Sequence, residues 1–211
     1  MPAVKPVLVV IGGPNGSGKT AATKILRTRH DWADGLVEIN PDDIAQEKFG
    51  DWNDPDAILE AARLADKMRE KCLAEKQGLL FETVLSKPDK VDYIHRAKAA
   101  GYFVRLIYVA TESPEINSLR IAWRVEQGGH DVPREKIQSR YGRSLKQAVT
   151  AARIADRAYF VDNSRDVENA ADEINPVTVF RTVNGSVAKS YMKEKDFPDW
   201  TKDIYQALNH T

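Results

Sequence analysis

The sequence predicts a three-layer α/β domain with a parallel five-stranded sheet, a helical lid and a C-terminal β-hairpin. Three observations carry that expectation. Short, almost wholly apolar runs alternate with longer helical patterns, as strands buried on both faces do. The first run feeds directly into a glycine-rich turn and a helix. A chain of 211 residues with 42% hydrophobic content is also long enough for one substantial core.

Taken in order, Val7-Leu8-Val9-Val10-Ile11 predicts a strand over 7–12, followed by a helix from about residue 18. A second strand is expected over Leu36–Ile39, helices near 41–49 and 55–76, and a third strand at Leu79-Leu80-Phe81. A helix near 87–100 should end at Gly101, where the β-rich run Tyr102–Val109 begins. Ser113-Pro114-Glu115 then starts another helix, with proline in its first turn. The fifth strand is expected at Ala158–Asp162. In such a sheet, ligands bind at the carboxyl ends of the strands.

Beyond Asn163-Ser164, two β-rich runs flank Asn184-Gly185. Both positions of a tight hairpin turn need positive φ, which asparagine and glycine tolerate. An antiparallel hairpin covering the domain is expected there, and the aromatic Pro198-Asp199-Trp200 tail, with Tyr205 and Leu208, should pack rather than wander. The expected organisation is a nucleotide-binding domain over 1–170, with its lid at about 113–150, and a hairpin/helix appendage over 171–211 packed on the same domain.

Lys plus Arg and Asp plus Glu both total 31, so no global field draws the chain to nucleic acid or to an anionic membrane. A single cysteine, Cys72, excludes an internal disulfide and reads as a small buried hydrophobe. There is no signal-peptide pattern and no apolar run of membrane-spanning length, so a cytoplasmic protein is expected.

Gly13-Pro14-Asn15-Gly16-Ser17-Gly18-Lys19-Thr20 matches G-x-x-x-x-G-K-T in its required setting, strand before and helix after. Gly13, Asn15, Gly16, Ser17 and Gly18 let backbone N–H groups converge on a polyphosphate, and Lys19 supplies a cation near its terminal oxygens. The Thr20 hydroxyl completes a Mg²⁺ shell.

Four further features bear on chemistry. Asp42 and Asp43 follow the second strand, where a carboxylate could take an acceptor proton beyond the γ-phosphate; a helix cap or a dipole partner is the equal alternative. Glu82 and Thr83 end the third strand and suit a metal-water or substrate-hydroxyl role, against a merely wet strand end. Residues 118–157 hold nine Lys/Arg against four Asp/Glu, leaving 22 against 27 elsewhere. Arg120 and Arg124 lie i,i+4 on one helix, Gly128-Gly129-His130-Asp131 breaks it, and Pro133-Arg134 opens the next, which carries Arg140 and Arg143. Such a lid can close over a triphosphate and neutralise transferring charge, whereas a solvent-facing charged helix pair is the plain alternative. Within the broken connection, His130 reads as a cap or hinge. Asn163, after the last strand, could reach a nucleotide, although turn chemistry alone accounts for Asp-Asn-Ser.

In order and spacing these segments, from Gly13–Thr20 through Asn40–Asp43, Phe81–Thr83, the lid and Asp162–Ser164, resemble the zeta-toxin family of P-loop kinases across roughly residues 7–164. The resemblance implies an ATP-dependent kinase, with Mg²⁺, acting on the 3′-hydroxyl of the amino sugar of UDP-N-acetylglucosamine. It implies Asp42 as catalytic base, Lys19 and Thr20 as nucleotide and Mg²⁺ contacts, and Glu82 beside the sugar nucleotide. Arg124 and Arg134, with Arg120, match the family's phosphate-contacting arginines, and the family admits a protein antitoxin as partner. Asp43 stands where plasmid-type members carry a hydroxyl residue, and the lid here is more compact. Two other readings remain open: a kinase of a different small hydroxyl compound, and a nucleotide-dependent binding module without transfer. A polynucleotide kinase fits less well, because the basic block offers only Trp123 and Tyr141 for base stacking.

Overall fold

The computed structural model describes residues 5–29, 34–50, 54–165 and 176–209. The elements run β1 (Val7–Gly12), α1 (Lys19–Arg29), β2 (Val37–Ile39), α2 (Pro41–Phe49), α3 (Pro55–Glu75) and β3 (Leu79–Thr83). They continue through α4 (Pro88–Ala99), β4 (Phe103–Ala110), α5 (Pro114–Glu126), α6 (Arg134–Ile154), β5 (Arg157–Asp162), β6 (Val177–Val183), β7 (Ser186–Ser190) and α7 (Asp199–Asn209). Four helices, α2 to α5, open on proline, whose fixed φ suits the first turn and whose missing N–H costs nothing there.

One sheet holds all the strands, in the order β2-β3-β1-β4-β5-β6-β7. The five expected strands are mutually parallel. Chain order reverses around β1, which lies between β3 and β4, so a crevice opens at the carboxyl ends of these three strands. The phosphate-loop turn leaves β1 at that point. The sheet has seven strands rather than five, because the C-terminal hairpin continues it instead of lying over it. β6 pairs antiparallel with β5, setting Phe180 opposite Phe160, and β7 pairs with β6.

The reason is the apolar edge that β5 would otherwise leave. The Phe160 and Phe180 rings stack at 4.5 Å, and Tyr205 of α7 meets Phe180 edge-on at 5.2 Å. Asn184 (φ 48°) and Gly185 (φ 85°) make the turn in the left-handed conformations that their residue types permit. Helix α7 buries Trp200, Ile204 and Leu208. The Trp200 indole N–H donates to Asp162 Oδ1 at 2.8 Å, tying the chain's last helix to the end of β5. The boundary expected at 170/171 falls outside the described residues.

One sheet face packs against α3, α4, α6 and α7, with Leu8, Val10, Phe81, Tyr108 and Phe160 at its centre and Cys72 buried beside them. On the other face Val9, Ile11, Ile107 and Val109 pack with Ala22 and Leu26 of α1. Among the described residues no helix is long and apolar enough to cross a membrane. Because Phe180 joins β5, β6 and α7, Phe180→Ala should cost about 3–5 kcal/mol of stability, read from urea unfolding midpoints; a loss below about 1 kcal/mol would mean that the hairpin is not integral to the core.

Candidate active site

At the mouth of β1 the glycine turn is built for close approach. Gly16 has φ 76°, and a Cβ there would lie 2.6 Å from the Asn117 carbonyl oxygen of α5; a Cβ on Gly18 (φ 92°) would lie 2.3 Å from Asn163 Nδ2. No other residue type fits either position. The turn is braced from two sides: Gly13 N–H donates to the Thr83 carbonyl at 3.2 Å, and Asn163 Nδ2 donates to the Ser17 carbonyl at 2.9 Å. Asn163 thus supports the turn from behind. Ser17 is fully buried, and its Oγ has no hydrogen-bond partner among the described residues. Lys19 Nζ donates to the Pro14 carbonyl at 2.9 Å, folding the ammonium back over the turn.

Two strand ends bring acidic groups toward this lysine. Glu82 accepts from Thr20 Oγ1 at 3.1 Å and from Thr23 Oγ1 at 2.8 Å. Burial pushes the Glu82 carboxyl above its usual range, while Thr23, Lys19 and Thr20 pull it back. Lys19 moves the other way. Burial lowers its pKa, the Glu82 and Asp42 carboxylates raise it, and Arg124 lowers it again. Asp42 is exposed in the first turn of α2, but its carboxylate does not cap the helix. Asn40 does so, its Oδ1 accepting from Asp42 N–H at 3.1 Å. This leaves the Asp42 side chain on the wall of a cavity of about 1130 Å³ that also holds Asn15, Gly16, Gly18, Lys19, Thr20, Glu82, Thr83 and Asn163.

The lid closes the far side. Helices α5 and α6 meet over a small apolar kernel of Ile121, Val132 and Ile137. Arg120 and Arg124 both reach the cavity wall. Arg124 is held by its own lid, Nη2 donating to the His130 carbonyl at 2.5 Å. Burial depresses the Arg124 pKa, while Asp42 and Asp131 counter it electrostatically. Arg140 Nη1 reaches Asn15 Oδ1 at 3.4 Å, so α6 touches the phosphate turn directly.

Two expected residues lie elsewhere. Arg134 is exposed in the first turn of α6 and does not line the cavity; Pro133, Lys136 and Arg140 do. Lys136 and Arg140 lie to one side of Ile137 around α6, the side that turns to the cavity, and Arg134 lies to the other. Asp43 also lies off the wall. Burial raises its pKa, as do the carboxylates of Glu38, Asp42 and Glu47, and a hydrogen bond with Asn40 opposes them. Sequence reasoning missed Asp66, Arg69, Lys87 and Lys90, which enter the cavity from α3, α4 and the turn before it. Arg69 is buried beneath Phe81, its guanidinium 5.1 Å from the ring centroid, and bonds Asp66, which also receives Lys90 at 3.0 Å. No local pattern announces a cluster assembled from two helices. The i,i+4 spacing of Lys136 and Arg140 was a usable signal.

Sequence comparison matches the Zeta toxin family over residues 1–175. The chain belongs to the zeta-toxin family. An uncharacterized protein of Haemophilus influenzae is 32% identical over 129 residues, covering 61% of this chain and 88% of its own. Among solved structures, a chain of the PezAT chromosomal toxin–antitoxin system of Streptococcus pneumoniae superposes with TM-score 0.57 at 18% identity, over 99% of this chain and 80% of that one. A chain of the AvrRxo1-ORF1:-ORF2 complex with ATP gives TM-score 0.54 at 16% identity, over 98% of this chain and 64% of its own. At these identities the likeness is one of fold.

This zeta-toxin family member carries groups that suit a nucleotide and Mg²⁺. The turn offers a backbone cradle with space only for glycine. Mg²⁺ retains most of its water and phosphate oxygens and asks for one or two protein ligands, which the adjacent Thr20 hydroxyl and Glu82 carboxylate can supply. Among the described residues no group of three or more His, Cys, Asp or Glu gathers as a metal cage. Gly16→Ala forces both a strained φ and a clash with α5, and should cost about 1–3 kcal/mol in chemical denaturation of the ligand-free protein; an unchanged midpoint would show that the turn relaxes freely.

Proposed function

We propose that this protein is an ATP-dependent kinase that transfers the γ-phosphoryl group to a hydroxyl of a nucleotide sugar such as UDP-N-acetylglucosamine. One observation carries the reading: Lys19, Glu82, Asp42 and Arg124, from the phosphate turn, two strand ends and the lid, line one cavity, with the Asp42 carboxylate near enough to act on both Lys19 and Arg124. A switch or holding module has no need of a free carboxylate past the phosphate turn facing lid guanidinium groups.

In this reading the acceptor hydroxyl lies against Asp42, which takes its proton as the new oxygen–phosphorus bond forms and the γ-phosphorus bond to the bridging oxygen breaks, ADP leaving with that oxygen. Lys19 and Arg124 neutralise charge on the transferring group, and closure of α5 and α6 removes water, which strengthens both. Mg²⁺, when bound, would supply positive charge to the phosphates. Thr20 and Glu82 would hold it, and Thr23 fixes the Glu82 carboxylate in place. The location is cytoplasmic, and a protein antitoxin is the partner implied by the family and by the toxin–antitoxin system among its structural neighbours.

Incubation with ATP, Mg²⁺ and UDP-N-acetylglucosamine should add one phosphoryl unit to the sugar nucleotide, read by mass. Transfer to other alcohols in an acceptor panel but not to this one would move the reading to a different small-molecule kinase. Asp42→Asn should lower kcat by about 10²–10⁴-fold with ATP affinity nearly unchanged, whereas Lys19→Ala should weaken ATP binding itself. Equal rates for wild type and Asp42→Asn would remove the base assignment.

The Lys19 shift has a pH consequence. ATP needs the ammonium form and, being anionic, raises its pKa on binding. Because burial has lowered that pKa in the free protein, ATP affinity should fall as pH rises through the lowered value, at a lower pH than an ordinary lysine would give. Within that window binding takes up a proton, measurable by calorimetry in two buffers of different ionisation enthalpy. Glu82→Gln removes the carboxylate that does most to keep Lys19 protonated, and should move the window to lower pH.

A further inference from the structure

Helix α5 presents two parallel stripes to the cavity. Arg120 and Arg124 form one; Leu119 and Trp123, also i,i+4, form the other, and all four side chains line the wall. The second stripe is out of place on a soluble surface. Leu119 is 72% exposed and Trp123 60% exposed, the two most exposed large apolar side chains among the described residues. Across the cavity stand Ile58 and Ala62 of α3. Ile58, itself 38% exposed, also lines a smaller neighbouring cavity with Val125, so the start of α3 faces the end of α5.

The result is an apolar slot within an otherwise charged cavity. Lys87, Lys90 and Arg69 line the same cavity, and its volume of about 1130 Å³ exceeds the roughly 300–1,000 Å³ of a site for one small ligand. A phosphate turn already claims one triphosphate. The remaining space is walled by an indole, branched aliphatic side chains and a polar side where Lys87 stands beside Lys90 and Arg69, the last two paired with Asp66 and, for Lys90, with Asp89 as well. Planar heteroaromatic rings joined to phosphate suit that combination: the ring face stacks on indole and the phosphate meets lysine.

We infer that Trp123 is the stacking platform for the nucleobase of the acceptor, and so a specificity-determining residue that selects base-bearing over base-free sugar phosphates. The inference rests on the kinase reading above and adds to it the side chain that sorts acceptors. Trp123 lies on the lid, so occupation of the slot by the acceptor's base would favour lid closure and bring Arg124, one residue on, over the phosphates. Selection and closure then share one element.

Two measurements test this on the full chain. In the first, UMP is titrated without ATP while tryptophan fluorescence is followed, with AMP as the comparison. UMP should quench wild-type emission, and the quench should vanish in Trp123→Phe, whose ring still stacks but no longer reports. A UMP quench that survives in Trp123→Phe, no UMP quench in wild type, or a quench by AMP alone would each overturn the assignment, the last by giving the slot to the donor's base. In the second, steady-state kinetics compare UDP-N-acetylglucosamine with N-acetylglucosamine 1-phosphate. Trp123→Ala should raise KM for the first by about 10–100-fold, the loss of one stacked base, with little change for the second or for ATP, and Trp123→Phe should recover most of the loss. A rise confined to the KM of ATP, or equal rises for both acceptors, would sink the platform. If no acceptor is phosphorylated at all, the kinase reading fails, while the UMP titration still decides whether Trp123 holds a base.

Discussion

A lysine ammonium and a glutamate carboxylate, both drawn partly out of water at the head of one parallel sheet, govern everything around them. Burial penalises each charge, so Lys19 is pushed toward losing its proton and Glu82 toward keeping one. Each charge offsets the other's penalty, and the two threonines of α1 complete the glutamate's hydrogen bonding. An isolated buried charge would be far more costly. What is left is a site held under electrostatic tension, relieved most by a ligand that brings its own anionic and cationic charge.

The sheet exists to make that meeting happen. With β1 between β3 and β4, residues distant in sequence are delivered to one crevice: the glycine turn from β1, Glu82 from β3 and Asp42 from beyond β2. Leu85, just past β3, is held at φ 53°, a conformation unfavourable for a branched side chain and one that persists only where its surroundings impose it. Here the imposing groups are visible: the Thr83 hydroxyl accepts from Leu85 N–H at 3.1 Å, and Ser144 of α6 donates to the Val84 carbonyl at 2.6 Å. The bend carries Ser86 and Lys87 to the cavity wall.

Much of this was legible in the chain. Runs such as Val7–Ile11 and Tyr102–Val109 leave no polar face to solvate, so they can only be central strands, and Asn184-Gly185 can hardly be anything but a hairpin turn. Which edge the hairpin would join was not legible, because that depends on Phe160 and Phe180 finding each other across the sheet. The glycine turn and the Arg120/Arg124 stripe announced themselves by spacing. Arg134 could not be told from Lys136 and Arg140 by spacing alone, because which side of α6 meets the cavity is set by how the lid kernel packs. Asp42 was undecided between capping and chemistry, and only the Asn40 side chain, seen bonded to the helix N-terminus, released it. The Asp66–Arg69–Lys90 cluster had no signature at all, since it is written half on α3 and half on α4.

The bond between the Trp200 indole and Asp162 reaches further than the packing of a terminal helix. Asp162 immediately precedes Asn163, whose own amide grips the glycine turn, so only a few covalent links separate the C-terminal helix from the backbone that would cup a phosphate. A change in α7 is therefore not remote from the glycine turn. A partner that gripped α7 would have a handle on the glycine turn, through Asp162 and Asn163, without entering the crevice.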